Sequence, residues 1–96
     1  MAQVVLLPDA QRDLLRLKSF LAEKAPEAAN RVASTIKTAL RRLVRFPESA
    51  PLSSQPPIRQ LYIPFGQAGY MANYVYDEAV DTVFVVFIRH TKEMPF

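Results

Sequence analysis

The spacing of hydrophobic residues changes along the chain, and each spacing predicts a different kind of element. Residues 3–7 form a short, mostly apolar run, which predicts a strand that ends at Pro8-Asp9. From Ala10 to about Lys24, apolar residues recur every three or four positions, which predicts an amphipathic helix. Its apolar positions are Ala10, Leu14, Leu17, Phe20 and Leu21.

A second helix is predicted to begin at Pro26, because proline suits the first helical turn and the following Glu27 favours the positive end of the helix dipole. This helix ends at Phe46-Pro47. Its apolar side consists of Ala29, Val32, Ala33, Ile36, Leu40, Leu43 and Val44. Since the break between the two helices is very short, we expect them to form an antiparallel hairpin.

The remainder of the chain is predicted to form a proline-rich loop followed by three strands. Residues 47–57 contain four prolines and three serines, which indicate an extended loop. Beyond it the hydrophobic period becomes two, which predicts strands at Ile58–Phe65, Tyr70–Tyr76 and Thr82–Arg89, with turns at Gly66–Gly69 and Asp77–Asp81. Such short connections favour an antiparallel meander. The predicted fold is therefore α+β, with a short N-terminal strand, a helix hairpin and a three-stranded meander in one sheet, the helices packed on one face.

Length and composition limit the classes of protein that fit. The 96 residues are 50% hydrophobic, which predicts a single domain over residues 1–96 with one core. The chain contains no cysteine, which excludes a disulfide framework, a thiolate zinc site and a cysteine nucleophile. Neither a signal peptide nor a membrane-length apolar run is visible, so we expect a soluble cytoplasmic protein.

Charge is distributed unevenly along the chain. The net charge is +3, and residues 1–57 carry nine Lys/Arg against five Asp/Glu, whereas residues 58–96 carry three against four. The second predicted helix has five basic residues and no acidic one between Arg31 and Arg45. Lys37, Arg41 and Arg45 recur every fourth residue and therefore lie along one helical face. This stripe is either a solvated helix face or a contact surface for an acidic partner.

Several kinds of catalytic site find no support. There is no Gly-Lys-Ser/Thr phosphate loop, and a single histidine argues against both a metal site and a serine triad. No cofactor is expected. The remaining candidates are polar or aromatic residues of the predicted sheet, namely Arg59, Tyr62, Tyr70, Asn73, Tyr74, Tyr76, Arg89, His90 and Lys92.

Each of these candidates has a functional and a structural interpretation. Strict alternation along the last strand puts Arg89 on the face of Val83 and Val85, and His90 on the opposite face with Ile88. The strand's end is a usual place for functional groups, but a histidine there also caps hydrogen-bond networks. Arg59 similarly fits either a functional cation or a structural ion pair with an acid. The tyrosines fit an interface or the core equally well.

Motifs spread over nearly the whole chain resemble one known family. Pro8, Ala10 and Asp13-Leu14 match a Pro-x-Ala-x-x-Asp-Leu opening. The later matches, in chain order, are Leu43, Phe46, Pro47, Arg59, Gly69-Tyr70, Tyr74, Ile88, His90 and Glu93. In order and spacing the sequence resembles the RelE/ParE superfamily, the toxins of bacterial type II toxin–antitoxin systems.

This resemblance implies one of two activities. RelE-like members are ribosome-dependent ribonucleases that cut mRNA, and ParE-like members poison DNA gyrase. A ribonuclease here would use Arg59, Arg89 and Lys92 as cations and His90 as acid or base, but an obvious partner base is missing. The acidic balance of residues 58–96 and the ending His90-Thr91-Lys92-Glu93 look more ParE-like. We therefore expect a gyrase poison; the alternatives are a ribonuclease and a non-catalytic interaction domain.

The resemblance also implies partners and a role in growth arrest and plasmid stabilisation. A cognate antitoxin is expected to fold onto the toxin, on the outer side of the helix hairpin and the exposed sheet edge. A homodimer or a toxin–antitoxin hetero-oligomer is expected. Independently of the resemblance, the apolar ending Met94-Pro95-Phe96 predicts that Phe96 folds back against the domain and brings His90 and Lys92 near Arg59. The residues expected to contact the target or the antitoxin are Arg59, Tyr74, His90, Lys92, Lys37, Arg41 and Arg45.

Overall fold

The structure is a computed structural model that describes residues 1–93, so the expected position of Phe96 lies outside the described residues. Two helices follow a first strand, and three longer strands follow the helices. The elements are β1 (Gln3–Leu6), α1 (Pro8–Lys24), α2 (Pro26–Arg45), β2 (Arg59–Phe65), β3 (Ala68–Asp77) and β4 (Thr82–His90). Short 3₁₀ turns span Glu78–Val80 and Thr91–Glu93. Within residues 1–93, neither helix is long and apolar enough to cross a membrane.

Strand β1 ends before Pro8-Asp9 as predicted, but helix α1 begins at Pro8, two residues earlier than its apolar period indicates. Pro8 occupies the first helical position and Asp9 lies in the first turn. Proline is well suited to that position because its missing N–H would have no helical partner, and the acid favours the positive end of the helix dipole. The side chain of Gln11 also ties the helix start to the strand, donating to the carbonyl of Leu6 at 2.8 Å.

The four strands form one sheet in the order β1-β4-β3-β2. The meander is confirmed, since β2–β3 and β3–β4 are both antiparallel. Strand β1 joins the meander in parallel beside β4, with Gln3 opposite Thr82 and Leu6 opposite Val85. Because β1 is short, it covers only the first half of β4, and the second half lies beside α1.

The helix hairpin packs on one face of this sheet, as the apolar periods predict. Ile36 and Leu43 are fully buried and Leu40 is 4% exposed, so the predicted apolar side of α2 faces the core. From the sheet, Tyr74 is also fully buried. The other buried sheet residues of this cluster are Leu61, Ile63, Tyr70, Ala72, Val83, Val85 and Ile88.

A β-bulge changes which side chains of β4 share a face. The register shifts between Asn73 and Tyr74, where Asn73 pairs with Phe87 but Tyr74 pairs with Val85. The extra residue on β4 reverses the alternation, so Ile88 joins Val83 and Val85 in the core. The strict alternation expected from the sequence is therefore wrong for the end of β4. As a result His90, two residues after Ile88, lies on the helix-facing side.

Candidate functional site

Arg89 is held by a buried acid of α1. Asp13 is 9% exposed, and its Oδ2 accepts hydrogen bonds from the backbone N–H of Ile88 at 3.0 Å and from the Arg89 guanidinium. Arg16 adds a second cation, 3.7 Å from the other carboxylate oxygen of Asp13. Since β1 no longer covers β4 at this point, Asp13 supplies the acceptor that a neighbouring strand would have provided. Arg89 therefore joins α1 to the sheet.

His90 borders a cavity of about 570 Å³ between α1 and the end of β4. Its ring meets the ring of Tyr70 edge-on, with centroids 5.3 Å apart. Its Nδ1 accepts a hydrogen bond from the backbone N–H of Lys92 at 3.1 Å, which caps the final 3₁₀ turn. The cavity is lined by apolar side chains and three basic ones, namely Leu17, Phe20, Leu21, Tyr70, Arg16, His90 and Lys92. His90 thus has a structural contact and faces a cavity at the same time.

Arg59 holds the proline-rich loop against the start of β2. Its Nη1 donates to the carbonyls of Ala50 at 2.8 Å and of Glu48 at 3.2 Å, and its Nη2 lies 3.4 Å from the Glu48 carboxylate. These contacts match the structural ion pair that the sequence left open for this residue. The side chain is only 20% exposed.

Tyr74 lies beneath the same loop. Its hydroxyl accepts a hydrogen bond from the backbone N–H of Ala50 at 3.4 Å, and burial raises the pKa of the phenol. Because Tyr74 is fully buried, it has no exposed surface with which to contact a partner. Core packing therefore accounts for this tyrosine, whereas Tyr62 is 50% exposed on β2.

The expectation that Arg59 lies near His90 and Lys92 is wrong. Arg59 pairs with Tyr74, which pairs with Val85, whereas His90 pairs with Tyr70 at the other end of β3. Four residues of β3, from Tyr70 to Tyr74, separate these two levels, which amounts to about 13 Å along the strand. In a three-stranded antiparallel meander the first strand starts at one end of the sheet and the third finishes at the other. The two basic positions therefore belong to different surfaces.

The predicted basic stripe lies on the outer side of α2. Lys37, Arg41 and Arg45 are all exposed, on the side of the helix opposite the buried Ile36 and Leu40. Arg31 and Arg42 are exposed as well, and they flank the stripe. We call the exposed side of α2 from Asn30 to Arg45 the basic face. The basic face is separate from the His90 cavity, whose described lining residues belong to α1, β3, β4 and the 3₁₀ turn after β4.

A groove separates α2 from β2, the strand at one edge of the sheet. Two adjoining cavities of about 510 and 400 Å³ lie along it, and both are lined by Ser34, Thr35 and Pro64. Arg31 lies over the Phe65 ring at one end, 5.9 Å from its centroid. The sequence predicted an exposed sheet edge but did not indicate which strand forms it.

The outer edge of β2 offers backbone groups to this groove. The Gln60 N–H points away from β3, since it donates to the carbonyl of Pro51 at 3.0 Å. Alternate residues of an antiparallel pair point the same way, so Tyr62 and Pro64 also present their backbone groups outward. Pro64 has a carbonyl there but no N–H, which limits pairing with a further strand.

Within residues 1–93, no group of three or more His, Asp or Glu side chains is placed to hold a metal ion.

The cluster that sequence reasoning missed is Asp13 with Ile88 and Arg89. A signal for it was present, because Asp13 lies three residues after Ala10 and four before Leu17, on the apolar stripe of α1. An acid on such a stripe indicates a buried carboxylate that needs partners.

A known family matches nearly the whole chain. The family model described as "ParE toxin of type II toxin-antitoxin system, parDE" matches residues 4–95. The chain is 37% identical over 94 residues to Toxin RelE3 of Caulobacter vibrioides, covering 97% of this chain and 98% of that protein. It is 40% identical over 65 residues to Toxin RelE1 of the same organism, covering 68% and 69% respectively.

Solved structures share the fold at lower identity. A chain from a chromosomal ParDE system of P. aeruginosa has a TM-score of 0.77 at 17% identity, over 94% of this chain and 96% of that one. A chain from the intact E. coli RelBE toxin–antitoxin complex has a TM-score of 0.63 at 18% identity, over 93% and 95%. The present chain belongs to the RelE/ParE superfamily and is a toxin of a type II toxin–antitoxin system.

Proposed function

We propose that this toxin inhibits DNA gyrase and is neutralised by a cognate antitoxin in the cytoplasm. The observation that supports gyrase over RNA cleavage is the separation of the groups that a ribonuclease would use. Arg59 lies about 13 Å along the sheet from His90. Metal-free cleavage requires an acid, a base and cations that all reach a single phosphodiester.

The surroundings of Arg89 and of the His90 cavity also argue against an RNA-cleaving centre. Arg89 is paired with Asp13, so part of its charge is already neutralised. That leaves His90 and Lys92 at the cavity, together with Arg16, whose partner Asp13 is the nearest described acid. Among the side chains that the structure describes, which are those of residues 1–92, no carboxylate or second histidine that could act as partner base lines this cavity.

RNA cleavage is the second candidate, and one observation favours it. The two Caulobacter relatives at 37% and 40% identity are named as RelE toxins, whereas the matching family model is named for ParE. The basic residues around the His90 cavity are the part of the molecule that this alternative would use.

For the antitoxin, we assign the groove between α2 and the edge of β2. An extended segment laid along β2 would meet outward backbone groups of Tyr62 and the carbonyl of Pro64. Its side chains would then face the cavities beside Ser34 and Thr35. The solved relatives that share this fold include toxin–antitoxin complexes, which supports a partner of this kind.

Two assays with the purified protein separate the candidate targets. We expect it to inhibit supercoiling of relaxed plasmid by gyrase and to leave mRNA on programmed ribosomes intact. Adding the antitoxin should restore supercoiling. An Ile36→Asp variant, which is expected not to fold, serves as the negative control in both assays. Codon-specific mRNA cuts that vanish in a His90→Ala variant, with gyrase unaffected, would overturn the gyrase proposal.

A further inference from the structure

The basic face of α2 carries positive charge that no other part of the described chain neutralises. Residues 28–47 contain five basic residues and no acidic one. At about 100° per residue, the five cations occupy a sector of about 140° that lies opposite the buried apolar sector. Within residues 1–93, none of the five takes part in an ion pair. They are Arg31, Lys37, Arg41, Arg42 and Arg45.

The other side chains of the basic face are small, neutral and able to form hydrogen bonds. Asn30, Ser34 and Thr38 lie between the cations, and all three are exposed. Hydroxyl and amide groups of this kind are common donors to phosphate oxygens, alongside lysine and arginine. The face therefore presents several positive charges and neutral donors over the same stretch of helix.

We propose that the basic face of α2 binds the phosphate backbone of duplex DNA. Lys37, Arg41 and Arg45 follow each other at intervals of four residues, or about 6 Å, along the helix axis. Each strand of B-DNA carries one phosphate per 3.4 Å of duplex axis, so a stripe about 12 Å long faces about three phosphates of one strand. Arg31 and Arg42, which flank the stripe and also line the groove beside β2, extend the contact sideways.

The composition of the face favours a duplex over a protein or a single strand. Protein interfaces have a core of apolar and aromatic side chains, and from Asn30 to Arg45 the exposed side of α2 has none. Single-stranded nucleic acids bind to aromatic side chains on which their bases stack, and these are missing from the same exposed side. Contact with the regularly spaced phosphates of a duplex needs only the cations and neutral donors that this face presents.

This binding goes beyond gyrase inhibition and does not depend on it. Gyrase acts on DNA, so a toxin that also holds a DNA segment would gain a second contact at the same target. The additional contact would be independent of DNA sequence, because phosphate contacts carry no base information. A binding assay that contains only toxin and DNA can fail while gyrase inhibition persists, and the reverse also holds.

The test is the salt dependence of binding to a labelled 25-base-pair duplex, followed by fluorescence anisotropy from about 50 to 200 mM salt. With about five phosphate contacts, the plot of log K against log salt should have a slope of about −4.5. The combined variant Lys37→Ala, Arg41→Ala and Arg45→Ala should have a slope of about −1.8, because each lost contact removes about 0.9. A thermal melt checks that the variant is folded.

A charge-matched variant on α1 is the control. Replacing Arg12, Lys18 and Lys24 by alanine also removes three positive charges, but from α1, and should leave the slope unchanged. An equal loss in both variants would overturn the proposal, since net charge alone would then explain binding. So would a wild-type slope near zero. Tighter binding to single-stranded DNA, to duplex RNA or to poly-glutamate than to duplex DNA would also overturn it. Gyrase inhibition is measured on the same protein samples.

Discussion

Replacing Ile36 by aspartate is expected to leave little or no folded protein. Ile36 is fully buried on the side of α2 that packs against the sheet, and no cation lies on that side of the helix. A carboxylate buried without a partner costs several kcal/mol, which is a large part of the about 5–15 kcal/mol that stabilises a typical domain. Leu40→Asp should behave in the same way. Far-UV circular dichroism and urea unfolding of both variants measure the loss.

Exposed positions of the same helix supply the controls. Ser34→Asp introduces the same side chain at an exposed position, and Lys37→Ala and Arg41→Ala remove exposed cations. Each should stay within about 0.5 kcal/mol of the unmodified protein. If Ser34→Asp unfolded the protein as completely as Ile36→Asp, the assignment of the two faces of α2 would be wrong.

The parts of the fold that the sequence predicted are those fixed by local spacing. The apolar period of α2 is long and regular, so its buried side could be read directly, and Ile36 lies where the period puts it. The meander followed from short connections that leave neighbouring strands no other way to pair. Such features depend on residues close together in the chain.

The features that escaped prediction depend on distant residues or on a single insertion. The parallel pairing of β1 with β4 joins Gln3 to Thr82, and no local pattern specifies that partner. The bulge at Asn73/Tyr74 adds one residue to β4, which moves Ile88 into the core although strict alternation puts it on the other face. The start of α1 at Pro8 was also missed, because the apolar period of this helix begins only at Ala10.

The candidate site could be predicted residue by residue but not as a group. His90 does lie at the end of a strand beside a cavity, yet Arg59 lies at the opposite end of the sheet. That separation already follows from the topology of a meander, so it was available from the predicted strands. The Asp13–Arg89 pair joins residues 76 positions apart, and only the unusual acid on an apolar stripe pointed to it.

Asp13→Ala is expected to destabilise the protein by about 2–4 kcal/mol, the largest effect of any single polar side chain considered. The substitution leaves the buried N–H of Ile88 without an acceptor, which costs about 1–3 kcal/mol. It also leaves Arg89 without its carboxylate, a smaller loss because that side chain is 36% exposed. Urea unfolding, monitored by circular dichroism, measures the change in the free energy of unfolding.

Two further variants separate the contributions within this cluster. Asp13→Asn keeps an oxygen that can accept from Ile88 but removes the charge opposite Arg89, so it should cost about half as much as Asp13→Ala. Asp13→Ala combined with Arg89→Ala should cost less than the two single losses added together, because the two side chains interact.

Asp9→Ala is the matched control for the Asp13 variants. Asp9 pairs with Arg12 on the same helix, but both side chains are about two-thirds exposed or more, so little stability should be lost. If Asp13→Ala were as harmless as Asp9→Ala, the carboxylate would not be what fastens α1 to the uncovered half of β4.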